Sequence, residues 1–99
     1  MRSRTVPAAE GEKLSERAKL QKRLSRIRGQ VEAMRRALDT DASCAKLLQQ
    51  ATACRGALDG FIAEVIEDHI RDRVVRASDH AAATAAAEEL IEIVHSYLT

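Results

Sequence analysis

The sequence predicts an all-α protomer of three helices. Three observations carry that expectation. Proline occurs once in 99 residues, at Pro7, so no proline interrupts the pattern that follows. Alanine is abundant, and the aromatics are confined to Phe61 and Tyr97. Apolar residues recur at alternating spacings of four and three, which is the period of a helix seam.

Residues 1–12 read as a flexible N-terminal arm, with Ala, Gly, Glu and Pro and no period. Residues 13–99 read as a single helical domain. The first helix is expected over about 15–38, capped by Ser15 and carrying the seam Leu20, Leu24, Ile27, Val31, Met34 and Leu38. The polar run Asp39-Thr40-Asp41 ends it. The second helix is expected over about 42–75, capped by Asp41 or Ser43. One row on it is Leu47, Ala51, Cys54, Leu58, Phe61 and Val65. An adjoining row runs from Cys44 through Leu48, Arg55 and Ile62 to His69. Two rows make a wide apolar face, as a helix with more than one neighbour requires. The third helix is expected over about 79–98, capped by Ser78 or Asp79, with Ala83, Ala87, Leu90, Val94 and Tyr97 on one face.

So few bulky residues give a lone three-helix chain little to bury, and oligomerisation is the natural remedy. No apolar run reaches the roughly 18 residues of a membrane helix. The basic start Met1-Arg2-Ser3-Arg4 is not followed by an apolar stretch, so no secretion signal is read. A cytoplasmic protein is expected, with Cys44 and Cys54 as free thiols, ligands or sensors.

The formal net charge is only +1, but its distribution is uneven. Residues 1–38 hold eleven basic and four acidic side chains; residues 39–99 hold five basic and eleven acidic. The basic half suits a polyanion, or equally a solvated helix facing acidic neighbours. With so few aromatic stacking residues, double-stranded DNA is favoured over RNA or single strands.

Cys44 and His69 stand 25 residues apart on the expected second helix. At 1.5 Å per residue the separation is about 38 Å, so one chain cannot close a site from both. Two copies paired antiparallel would set each Cys44 beside the other chain's His69. The crossing would fall near residues 56 and 57, in the run Ala53-Cys54-Arg55-Gly56-Ala57-Leu58-Asp59-Gly60, where small residues allow close approach. Cys54 reads as a small core residue, too far along the helix to pair with Cys44.

Three stretches resemble the CsoR/RcnR/FrmR family of bacterial transcriptional repressors: Arg26-Ile27-Arg28-Gly29-Gln30-Val31, Cys44-Ala45-Lys46-Leu47-Leu48-Gln49-Gln50 with Ala53-Cys54-Arg55-Gly56-Ala57 after it, and Glu64-Val65-Ile66-Glu67-Asp68-His69-Ile70. The likeness spans residues 13–98. It implies an antiparallel dimer of long helices, a disc-shaped tetramer formed as a dimer of dimers, operator binding without a helix-turn-helix, and release when a small inducer occupies the Cys/His site. Lys22, Arg23, Arg26 and Arg28, mostly off the apolar seam, are the expected DNA contacts, with Arg55. The plainer reading of Arg55 is an internal ion pair with Asp59 or Glu32.

The resemblance also narrows the inducer. Copper sensors of the family place a second thiol one turn after the His, and nickel or cobalt sensors place a His there; here it is Arg73, which cannot ligate a metal. Sulfide and persulfide sensors use two thiols where this chain has Cys44 and His69. The formaldehyde-sensing branch fits better. Its chemistry joins a thiolate to an N-terminal amine through one carbon. The first turn of a helix, with a partner's Arg73 nearby, favours a thiolate at Cys44. If translation begins at residue 6, Pro7 becomes the N-terminal amine. Inducer-binding residues are therefore expected to be Cys44, His69 and Pro7. No cofactor is required. The alternative is a transition metal (nickel, cobalt, zinc or copper) at Cys44 and His69, with Glu89 or His80 supplementing them. The plainer readings of His80 and His95 are loop and surface residues. A purely structural helical module that binds an acidic protein is the competing class. An enzyme is rejected, because no phosphate loop, metal-hydrolase motif or Ser/His/Asp grouping is present.

Overall fold

The computed structural model describes residues 8–98, and the side chains of 11–98. The described residues form three α-helices and one π-helical segment: α1 Ala8–Asp39, α2 Cys44–His69, the π-helical segment Ile70–Val75, and α3 His80–Leu98. The fold is all-α, as the composition requires. The chain divides into two compact units, the first ending at Ile62 and the second beginning at Ala63.

In the first unit, α1 begins at Ala8, so residues 8–12, expected in the arm, are helical. Ala8, Ala9, Glu10 and Glu12 in this stretch are strong helix formers, and Ser15, expected as the cap, lies inside the helix. The end of α1 is set by backbone geometry. Asp41 adopts the left-handed conformation, φ 57°. Its N–H donates to Leu38 O at 3.3 Å, and the Ala42 N–H donates to Ala37 O at 2.9 Å. This pair of bonds closes a helix C-terminus and satisfies carbonyls that would otherwise be orphaned. Ser43 then caps α2, its Oγ accepting from the Lys46 N–H at 3.2 Å.

The four-residue turn folds α2 back along α1. Arg23, seventeen residues before Thr40, lies against Gly60, seventeen residues after Ser43. That register fixes which residues face inward. On α1 the covered row is Leu20, Arg23, Ile27, Gln30, Met34 and Ala37. Leu24, Val31 and Leu38, expected in the same seam as Ile27, are exposed. On α2 the covered row is Leu47, Gln50, Cys54, Ala57 and Phe61, whereas Leu48, Leu58 and Ile62 are exposed. Among the described residues only Ile27, Ala37 and Cys54 are buried.

In the second unit the backbone widens after His69. The Arg76 N–H reaches back five residues to Arg71 O at 3.1 Å, the π-type closure. Two local ion pairs brace it, Arg71–Asp68 at 3.3 Å and Arg76–Asp72 at 2.8 Å. Asp79 caps α3, its Oδ1 accepting from the Ala82 N–H at 2.7 Å. The alanines of α3 allow the π-helical segment to pack closely on it. Ala83, Ala87, Leu90 and Val94 are partly covered, but Tyr97 is 80% exposed, one turn beyond that contact. No helix among the described residues is long and apolar enough to cross a membrane.

These end geometries have measurable consequences. Asp41→Gly removes the strain of a side chain at positive φ and should stabilise the protein by about 0.5–1 kcal/mol. Asp79→Ala removes a cap and should cost about 1 kcal/mol. Thermal melts followed by circular dichroism at fixed protein concentration should shift in opposite directions for the two variants.

Candidate sensor site and nucleic-acid face

Cys44 is the first residue of α2, and His69 is the last. Cys44 belongs to the first compact unit and His69 to the second. Cys44 is an exposed free thiol in the helix first turn. Cys54 is buried in the α1–α2 seam, the small core residue its row predicts.

His69 is half-buried and oriented by α3. Its Nε2 lies 3.3 Å from Ala86 O. A carbonyl can only accept, so Nε2 carries the proton and the Nδ1 lone pair remains for another partner. Ala86 also lines an open pocket of about 390 Å³ with Asp72, Arg73, Ala82 and Glu89. Arg73 and Glu89, both singled out from the sequence, thus share one concavity with the carbonyl that holds His69. Asp72, on the same wall, is already paired with Arg76. His80 opens α3, with its Nε2 3.4 Å from Thr84 Oγ1. Among the described residues, no three His, Cys, Asp or Glu side chains of one chain converge as a metal site would need. Pro7, the expected N-terminal amine, lies outside the described residues.

All five expected DNA contacts belong to the first unit. Lys22, Arg26, Arg28 and Arg55 are exposed. Moving five residues from Arg23 along α1, and five from Gly60 back along α2, brings Arg28 level with Arg55 along the hairpin. Glu32, considered as a partner for Arg55, instead pairs with Arg35 at 3.3 Å. Arg23 differs from the other four. It occupies the inward row, with its guanidinium held over Gly60. Sequence patterning could not reveal this, because it counts only apolar residues as seam.

Comparison with known proteins agrees on one family. The family model described as "Metal-sensitive transcriptional repressor" matches residues 16–96. The transcriptional repressors RcnR of Salmonella paratyphi B and Salmonella paratyphi A are each 36% identical over 85 residues, covering 86% of this chain and 94% of theirs. Among solved structures, a variant of the formaldehyde-responsive regulator FrmR from Salmonella enterica serovar Typhimurium superposes with a TM-score of 0.76 at 33% identity, covering 84% of this chain and 94% of that one.

In the free protein His69 is expected as the Nε2–H tautomer. Long-range ¹H–¹⁵N NMR correlations of the ring read this directly. A protonated Nδ1 beside an unprotonated Nε2 would contradict the bond to Ala86.

Proposed function

The chain belongs to the metal-sensitive transcriptional repressor family (CsoR/RcnR/FrmR), and from that premise we propose a DNA-binding repressor that leaves its operator when formaldehyde reacts at an inter-subunit site containing Cys44 and His69. Membership makes the chain a transcriptional regulator and not an enzyme. The partners on this reading are double-stranded operator DNA, further copies of the chain and a small inducer.

The exposed row of α2 supports self-association. Cys44, Leu48, Leu58 and Ile62 are exposed at helix-seam spacing, and Leu48 is 61% exposed. A second α2 laid antiparallel on that row would cover it and bring Cys44 of one copy to His69 of the other. In this arrangement neither site is complete in a single chain. A tetramer would cover the remaining exposed apolar residues of α3, including Ile91.

The observation that carries the choice of inducer is Arg73 in the pocket beside the His69–Ala86 bond. A guanidinium repels a metal cation and attracts a thiolate. Formaldehyde is uncharged, so Arg73 does not oppose its entry. It joins two nucleophiles through one methylene with loss of water: the Cys44 thiol and, where translation begins at residue 6, the N-terminal amine of Pro7. The second reading, a nickel, cobalt, zinc or copper sensor, draws on the open Nδ1 of His69 and on Glu89 in the same pocket. Cys44, His69 and Glu89 are a reasonable mixed donor set, but Arg73 is adverse to it.

Titrating the protein–operator complex separately with formaldehyde, Cu(I), Ni(II), Co(II) and Zn(II) distinguishes the two. Release by formaldehyde, abolished in Cys44→Ala, is expected. Release by a metal at sub-micromolar concentration, with formaldehyde inert, would reverse the choice. Arg26→Ala should weaken operator binding and reduce the slope of log affinity against log salt by about 1. Anisotropy titrations at several salt concentrations would check this, and an unchanged slope would remove Arg26 from the interface.

A further inference from the structure

We propose that Gly60 is a positioning residue for Arg23: lacking a side chain, it leaves a notch on α2 in which the Arg23 guanidinium is held within the DNA-binding face. The inference rests on the reading of Arg23 as a DNA contact and goes beyond it by assigning a role to a residue with no chemistry of its own. A Cβ built at Gly60 would lie 2.7 Å from Arg23 Nη1, 3.4 Å from Cζ and 3.9 Å from Nη2. The three nearest atoms therefore all belong to one guanidinium. The other three glycines differ: a Cβ at Gly11, Gly29 or Gly56 would meet nothing within 4 Å.

Glycine is disfavoured against alanine inside a helix, and Gly60 lies well inside α2. No backbone is among its three nearest neighbours, so close helix approach does not account for it. What the missing methyl group admits is the flat end of Arg23. A long cationic side chain loses rotamer freedom when it grips a phosphate. One already held against a helix loses less, and the difference appears as affinity. Arg23 is half-buried, whereas Lys22, Arg26 and Arg28 are exposed. Arg23 is thus the contact whose geometry the fold dictates most closely.

The test compares Arg23→Ala, Gly60→Ala and the double variant for operator affinity, salt slope and melting temperature. Gly60→Ala should remain folded, as its melting temperature will read, because the added methyl meets the far end of a side chain and not backbone, and alanine is the better helix former. Its operator affinity should fall about three- to tenfold. In the Arg23→Ala background, Gly60→Ala should change affinity no further. Arg23→Lys, which keeps the charge but lacks the planar group, should lose about as much as Gly60→Ala and provides a check that leaves α2 untouched. Parental affinity in Gly60→Ala or Arg23→Lys, with Arg23→Ala weak, would overturn the positioning role alone. A further loss in the double variant beyond Arg23→Ala would do the same. Parental affinity and salt slope in Arg23→Ala would overturn both the positioning role and the DNA contact beneath it.

Discussion

Each long helix carries two rows of side chains suited to burial, and the hairpin of α1 on α2 covers only one of them. The three buried residues among those described, Ile27, Ala37 and Cys54, all lie in the covered rows of the first unit. The described residues of the second unit include none. Leu24, Val31 and Leu38 on α1 and Leu48, Leu58 and Ile62 on α2 remain exposed. Completing the burial of a half-covered Leu, Ile or Val contributes about 1 kcal/mol. Several such residues amount to a large share of the 5–15 kcal/mol that typically separates folded from unfolded chains. The physical demand on this sequence is therefore a partner for the second row, and a further copy of the chain offers the complementary row.

That demand links stability to sensing. The exposed row of α2 begins at Cys44, and His69 closes the same helix. On the proposed pairing, an inducer taken up at Cys44 of one copy beside His69 of the other acts at the ends of the surface that holds two chains together. Any difference in how the ligand fits two arrangements of that surface becomes a difference in DNA affinity, and the coupling is reciprocal. A receptor placed elsewhere on the protomer would need a separate route to the helix pair. The basic face needs none, because α1 and α2 supply both its cations and the shared surface.

The helices, their order and two of the caps were legible in the sequence. Ser43 and Asp79 are caps by residue type and position, and the hydrogen bonds they accept follow from that. Cys54 was legible as core because it lies in an apolar row. The inward row of α1 was not. Two of its six members are Arg23 and Gln30, and Gln50 faces inward from α2. A pattern built on apolar residues selects the more hydrophobic Leu24, Val31 and Leu38, which the hairpin leaves outside. Polar residues in a seam act against alternative registers, and here one of them seats on a glycine. The π-helical segment was also hidden. Nothing in Ile70-Arg71-Asp72-Arg73-Val74-Val75 announces an extra residue per turn, which depends on packing against α3. Of the candidate site, the Cys and His were visible as types at a spacing. The bond that fixes the imidazole was not, because Ala86 contributes only a backbone carbonyl.

On the proposed function, the charges in the pocket that Ala86 lines weigh differently on the candidate inducers. Asp72 and Arg76 lie 2.8 Å apart, and both are mostly covered, so that carboxylate is already committed to a cation. What remains in the pocket wall is Arg73 against Glu89. A divalent ion arriving there would gain from Glu89 and lose to Arg73. Binding would then depend on the strength of the sulfur and nitrogen bonds alone. An uncharged electrophile meets no such opposition. Exchanging Arg73 for a neutral donor would remove the repulsion while leaving Cys44, His69 and the Ala86 bond in place. On the proposed function, the preference between reaction and coordination is therefore set less by Cys44 and His69 than by Arg73 in the pocket that Ala86 also lines.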